Sequence, residues 1–463
     1  MNNLALTFCG ILTSAFLLCG NASGAAEPFA STLLRELRDT SGVPGMAAAV
    51  FKDGKLAWHG EAGFANMEQR KPVTKLTGFR LASVSKFITT AMLAQAVEQG
   101  RFDLNRPVAS YLPAYAGHEP ISALQLATHT SGMPHYDLLR DFDLADDTRQ
   151  YRNATQAIHI FKDRALASKP GTRYLYSSFG FNLLSATMEQ ALQRDFPSML
   201  GDFTARAGVV SLQAERPHGS DEQLADLYDA GNKRLARGNI SNIWAGGGLV
   251  SNASDLAQIG ARLLDPAFLS SATLQRFTTP AVFDNGEPIV VGRFTMGIGW
   301  RLGVDHRGRA FFHHSGSIRG GRSHISVYPK ERLVVALLVN TDWVSAMDVT
   351  SSVLLDMVGE AAPAAPCKSE SYRYQGRYGQ AEIEGTLESV VQPGHCRLVL
   401  GADNALGKWL ANNGKRRSFT LHDKILVAPV GLFSVTRDGA KLLLRLPGGT
   451  LELQLRESVM ARR

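Results

Sequence analysis

The feature that most constrains this chain is a change of texture at Glu360–Pro366, which reads EAAPAAP. Proline breaks helices and interior strands, so this stretch reads as a linker within residues 360–370. After it, Arg373 to Arg456 alternates apolar and polar residues, with turns at Asp438-Gly439 and Pro447-Gly448-Gly449. That pattern predicts a separate antiparallel barrel or sandwich over residues 371–463. Before the linker, residues 27–359 mix two periods. Pro28–Arg38 reads as a helix. Met46–Phe51 and Leu56–His59 read as strands joined at Asp53-Gly54, a two-residue hairpin signal. A mostly helical middle follows. Strand patterns return at Gly297–Leu302, Ala310–His313, His324–Tyr328 and Leu333–Asn340, and Met347–Val358 is helical again. The Leu333–Asn340 run is continuously apolar, as a central strand requires. This order predicts an α+β fold: one antiparallel sheet built from both ends of the domain, flanked by helices and carrying a helical insert.

The amino terminus bears on compartment. Leu4 to Leu18 is almost wholly apolar and is followed by small residues, Asn21 to Ala26. The run is short for a membrane span, so residues 1–26 read as a secretory signal and the chain as periplasmic or secreted. An uncleaved anchor is the rival reading, because no Lys or Arg precedes the run. No later segment is apolar enough to cross a bilayer, so no integral membrane domain is expected. Cys9 and Cys19 would leave with the signal. Cys367 and Cys396 remain, and in an oxidising compartment they are expected to pair, contributing about 3–4 kcal/mol through loop closure. Two separate buried thiols are the alternative. No Cys/His spacing suggests a metal, and no motif suggests a cofactor. Lys plus Arg is 49 and Asp plus Glu is 42, a net charge of +7. The basic residues are scattered, which argues against a nucleic-acid partner and allows mild attraction to an anionic envelope.

Three segments can carry chemistry. In Ser83-Val84-Ser85-Lys86, the apolar residues that follow recur at helical spacing up to Gly100. Ser83 therefore sits near a helix N-terminus with Lys86 one turn on, on the same face. An amine can activate a serine hydroxyl if burial lowers its pKa, and a helix N-terminus offers N–H groups to an oxyanion. The bland alternative is a capping serine followed by a surface lysine. Tyr174-Leu175-Tyr176-Ser177-Ser178-Phe179-Gly180 is a polar loop before a helical stripe. A tyrosine there can relay protons or simply cover the core. His313-His314-Ser315-Gly316-Ser317 follows a strand. Its glycine permits close backbone approach, and it reads otherwise as a plain hairpin turn. A paired-histidine metal site is disfavoured, since neighbours on a strand point to opposite faces.

In this order the three segments resemble the serine β-lactamase and penicillin-binding-protein superfamily, in the branch of class C β-lactamases, D-aminopeptidases and family VIII esterases. Thr128-His129-Thr130-Ser131-Gly132-Met133, Ala245–Ser251 and Asp103–Val108 resemble further segments of that family. The likeness covers roughly residues 30–360. It implies Ser83 as the acylated nucleophile, Lys86 as its activator and Tyr176 as proton shuttle. It places Ser178, His314, Ser315 and Gly316 at the substrate, and the N–H groups of Ser83 and Ser317 in an oxyanion hole. Two departures stand out. Ser178 replaces the usual asparagine and has fewer donors. His314 replaces the usual lysine and is mostly neutral at pH 7, leaving Arg319 or Arg322 to supply positive charge. No glutamate lies between Glu119 and Glu189, unlike a class A β-lactamase. The C-terminal region, opening at Tyr374–Tyr378, resembles the lipocalin-like β domain of some members, which would help shape the active-site entrance.

The expected function is an exported serine hydrolase acting on D-amino-acid peptides or small esters, with weak or no β-lactamase activity. Its partner is a small-molecule or peptide substrate, of peptidoglycan origin in one version. The competing readings are an efficient class C-like β-lactamase and a non-catalytic peptidoglycan-binding or assembly-forming envelope protein.

Overall fold

A computed structural model describes residues 28–115, 119–136, 149–216, 223–343, 345–361, 370–392, 395–422 and 424–457, and no side chain within 391–397. The expected signal, most of the linker and Cys367 lie outside the described residues, as does the Cys396 side chain, so the expected pair does too.

Helix α1 (Phe29–Ser41) buries Phe29, Ala30, Leu33, Leu34 and Leu37 and ends at Gly42, whose φ of 73° is left-handed. Strands β1 (Gly45–Lys52) and β2 (Lys55–Asn66) form the expected hairpin, with positive φ at Asp53 and Gly54. The rest of the sheet comprises β3 (Lys71–Pro72), β4 (Val290–Val291), β5 (Phe294–Met296), β6 (Arg301–Val304), β7 (Ala310–Ile318), β8 (Gly321–Tyr328) and β9 (Leu333–Val339). Their order is β3-β2-β1-β9-β8-β7-β6-β5-β4, antiparallel throughout. The apolar β9 is central, pairing Ala336 with Ala49 of β1 and with Ile325 of β8. One expected strand differs. Gly297–Leu302 is broken between β5 and β6, where Gly299 (φ 75°) fits against Thr90. The His314 segment differs as well: it is an interior part of β7, with no turn until Arg319-Gly320.

Helices cover both faces. On one lie α2 (Val84–Glu98), α3 (Ser178–Leu192), the short α4 (Trp244–Gly247) and α5 (Ala253–Leu263); on the other lie α1 and α6 (Met347–Asp356). Phe87 of α2 stacks on Phe312 of β7 at 5.9 Å between centroids, and Trp300 packs 4.7 Å from Phe312. These rings lock α2 to β7.

From Ser371 to Glu457, eight strands pair with their sequence neighbours, and the first closes on the last through Tyr374↔Leu455. The barrel has its own core of Tyr374, Leu387, Leu400, Phe419, Phe433, Leu444 and Leu453. It docks on the α1/α6 face. Ile425, Val427 and Leu432 join the apolar core there, Trp343 Nε1 donates to the Pro429 carbonyl (2.7 Å), and His422 meets Glu36. Ser83 lies on the other side of the sheet.

Candidate active site

Ser83 occupies the N-cap position of α2, yet its side chain makes no capping hydrogen bond, so the hydroxyl is free for other partners. The preceding Ala82 holds φ at 46°, a left-handed conformation that costs a non-glycine residue about 1–2 kcal/mol. Lys86 is fully buried, so it is not the surface lysine of the bland alternative. Its Nζ lies 2.6 Å from the Gly246 carbonyl, 2.9 Å from Ser178 Oγ and 3.4 Å from Ser83 Oγ. The Tyr176 ring centroid is 4.7 Å away. Burial first, and then the Arg301 charge, push the Lys86 pKa well below the usual lysine value.

Tyr176 is held by the segment Thr128–His135. The His129 carbonyl accepts from Leu175 N (2.8 Å), His129 Nδ1 accepts from Ser177 N (3.2 Å), and His135 Nδ1 accepts from Ser178 N (3.1 Å). His129 itself is buried at φ 60°, with its ring 4.5 Å from that of Tyr176. Burial raises the Tyr176 pKa, while the Ser83 hydroxyl and Arg301 work in the opposite direction. The phenol is thus protonated near neutrality. These framing roles of His129 and His135 were not legible in the motif alone.

His314 faces the same side as Phe312 and Gly316. A Cβ on Gly316 would sit 2.3 Å from the Leu81 carbonyl, so only glycine lets β7 run this close to the Ser83 turn. His314 Nδ1 donates to the Ser315 carbonyl (2.7 Å), which leaves Nε2 as an acceptor. Burial and the charges of Arg301 and Lys86 hold its pKa well below the usual imidazole value, so it brings no positive charge. His313, Ser315 and Ser317 alternate to the opposite face.

Neither expected arginine reaches the cluster. Arg319 sits at the β7–β8 turn with its side chain exposed, while its carbonyl is held by Arg80 (3.3 Å). Arg322 pairs with Ser317 and Val339, and strand alternation sends it to the far face. The charge comes instead from Arg301, at the start of β6, with its guanidinium 5.7 Å from the Tyr176 ring centroid. The sequence signal for it was a charged residue inside the apolar stretch Gly297–Leu302.

A serine, a buried amine, a phenol and a glycine-backed strand edge meet here. A family model described as beta-lactamase matches residues 30–349. The chain belongs to the beta-lactamase family. It is a serine hydrolase of that family, whose members act on small or peptide substrates. It is 23% identical over 406 residues to the serine beta-lactamase-like protein LACTB, mitochondrial, of Homo sapiens, covering 68% of this chain and 74% of that one. It is 28% identical over 361 residues to a D-aminopeptidase of Gluconobacter oxydans, covering 76% of this chain and 65% of that one. Two solved structures share the fold. The octameric penicillin-binding protein homologue from Pyrococcus abyssi superposes with a TM-score of 0.62 at 20% identity, covering 92% of this chain and 99% of that one. The beta-lactamase/D-alanine carboxypeptidase from Pseudomonas syringae gives 0.60 at 18% identity, covering 72% and 98%. Among the described residues no helix is long and apolar enough to cross a membrane.

Proposed function

We propose that this protein is an exported hydrolase that works through an acyl-enzyme on Ser83, with D-amino-acid peptides or small esters as substrates and β-lactams as poor ones. The carrying observation is the environment of Lys86 Nζ. A neutral amine has two N–H bonds and one lone pair. The Gly246 carbonyl and Ser178 Oγ take the two N–H bonds. The lone pair is left for the third neighbour, Ser83 Oγ. Lys86 then takes the Ser83 proton as Oγ attacks a carbonyl carbon. The oxyanion that forms is held by the N–H groups of Ser83 and Ser317, at the positive end of α2. Tyr176 passes the proton to the leaving group, and water releases the acyl group in a second step.

The substrate reading rests on the two departures. The Ser178 hydroxyl already accepts from Lys86 and has one proton to offer a substrate amide. Neutral His314 offers no charge, so a carboxylate on the substrate would be met by Arg301. The test is intact-mass spectrometry with a fluorophosphonate. One adduct is expected on wild type, at Ser83, and none on Ser83→Ala. A wild type that takes no adduct would overturn the proposal. Turnover of a penicillin, a cephalosporin, a nitrophenyl ester and a D-Ala-terminated peptide then ranks the substrates, with the ester or peptide expected first.

A further inference from the structure

Behind β7, on the face away from Lys86, two serines flank a histidine that the reaction above does not use. His324 of β8 is fully buried. Its Nδ1 lies 2.8 Å from Ser315 Oγ and its Nε2 lies 2.7 Å from Ser326 Oγ. Ser326 is also fully buried, whereas Ser315 is half-buried. Ser315 pairs with His324 across β7 and β8, and Arg301 pairs with His313, two residues from Ser315 on the same side of β7.

Two arrangements of protons satisfy these contacts. In one, Ser315 donates to Nδ1 and Nε2–H donates to Ser326 Oγ. The Ser326 hydroxyl proton is then left buried with no acceptor, which costs about 1–3 kcal/mol. In the other, Ser326 donates to Nε2 and Nδ1–H donates to Ser315 Oγ. Within these three residues every buried proton is then used, and the one free proton sits on Ser315, the only half-exposed member. Satisfaction of buried donors selects the second. It needs a neutral imidazole, and burial together with the charges of Arg293 and Arg301 lowers the His324 pKa to about 3.

We infer that His324, set by Ser326, is a positioning residue that turns the Ser315 hydroxyl proton outward as a donor for a substrate carboxylate beside Arg301. This rests on the Ser83 hydrolase reading and deepens it. The relay decides which substrates bind well and leaves the chemistry at Ser83 alone.

The test compares a 3-carboxyphenyl ester with the matching phenyl ester, as the ratio of their kcat/KM values. Intrinsic leaving-group differences cancel between variants. Ser315→Ala and His324→Leu are each expected to lower the ratio about tenfold, with the loss in KM. His324→Asn, which can place an amide N–H near the Nδ1 position, is expected to restore most of it. Ser326→Ala, which touches neither Ser315 nor substrate, is expected to lower it a few-fold. Fluorophosphonate labelling of Ser83 should proceed at the wild-type rate in His324→Leu, His324→Asn and Ser326→Ala. The inference is overturned if Ser315→Ala lowers the ratio and both His324→Leu and Ser326→Ala leave it at the wild-type value. It is equally overturned if Ser315→Ala has no effect. If His324→Leu does not fold, Ser326→Ala decides between these outcomes. A wild type that fails to label overturns the hydrolase reading instead, so the two failures are separate.

Discussion

The two faces of the nine-stranded sheet solve opposite problems. The face toward α2 accumulates costs: a buried amine at Lys86, left-handed backbone at Ala82 and His129, and the neutral buried imidazoles of His129 and His314. The face toward α1, α6 and the barrel buries Leu33, Leu37, Val335, Leu337, Val427 and Leu432, and pairs its charges, Asp356 of α6 meeting His306 and Arg309. Transfer of apolar surface stabilises that face at about 25 cal/mol per Å². The contrast teaches where stability and reactivity reside. The barrel face holds the domain together, and the Ser83 face spends part of that stability on groups kept out of their preferred states.

Four experiments would break or sharpen this division. The largest effect is expected from Lys86→Met. Acylation of Ser83 should fall by about 100- to 10,000-fold, the range for a lost general base. The melting temperature should stay level or rise, because a desolvated amine is removed. Stopped-flow acylation and calorimetry check the two halves. Leu432→Ala should do the reverse. It cuts a buried contact between barrel and sheet and should lower unfolding free energy by about 3 kcal/mol, with an unchanged acylation rate, read by urea titration.

The third concerns pH. His129, His313, His314 and His324 all have pKa values lowered by burial. Below the unfolded imidazole value of about 6.5, the unfolded chain binds protons that these folded side chains refuse. Stability should therefore fall as pH drops from 6.5, and His324→Asn should flatten the slope. Urea unfolding at a series of pH values reads it. The smallest effect is expected from Ala82→Gly. Glycine accepts positive φ without penalty, so stability should rise by about 1 kcal/mol.

The sequence was most legible where one period or one turn decides the structure. The Asp53-Gly54 hairpin, the apolar β9 and the alternating barrel strands depend on local chemistry, and each forms. Ser83, Lys86 and Tyr176 could be ordered by motif, and the fold brings them together. Arg301 could not be found that way. Its reach to Tyr176 depends on β6 beginning at Arg301, opposite His313, while β7 continues to Ile318, which strand pairing sets and local pattern does not. Arg319 and Arg322 misled for the related reason that a turn and an alternation direct them elsewhere. The position of the barrel was equally hidden, since outward-facing Ile425, Val427 and Leu432 look like ordinary strand residues until a partner surface is known.

The pairing of β1 with β9 has a kinetic consequence. These strands come from opposite ends of the domain, so the sheet that backs α2 closes only after nearly the whole domain has been made. Such long-range pairing slows folding, because loop-closure entropy must be met before the contacts repay it. A chain threaded through an export channel in its unfolded state would carry Ser83 without a working neighbourhood. Reactivity would switch on at the destination, when the last central strand slots in beside the first.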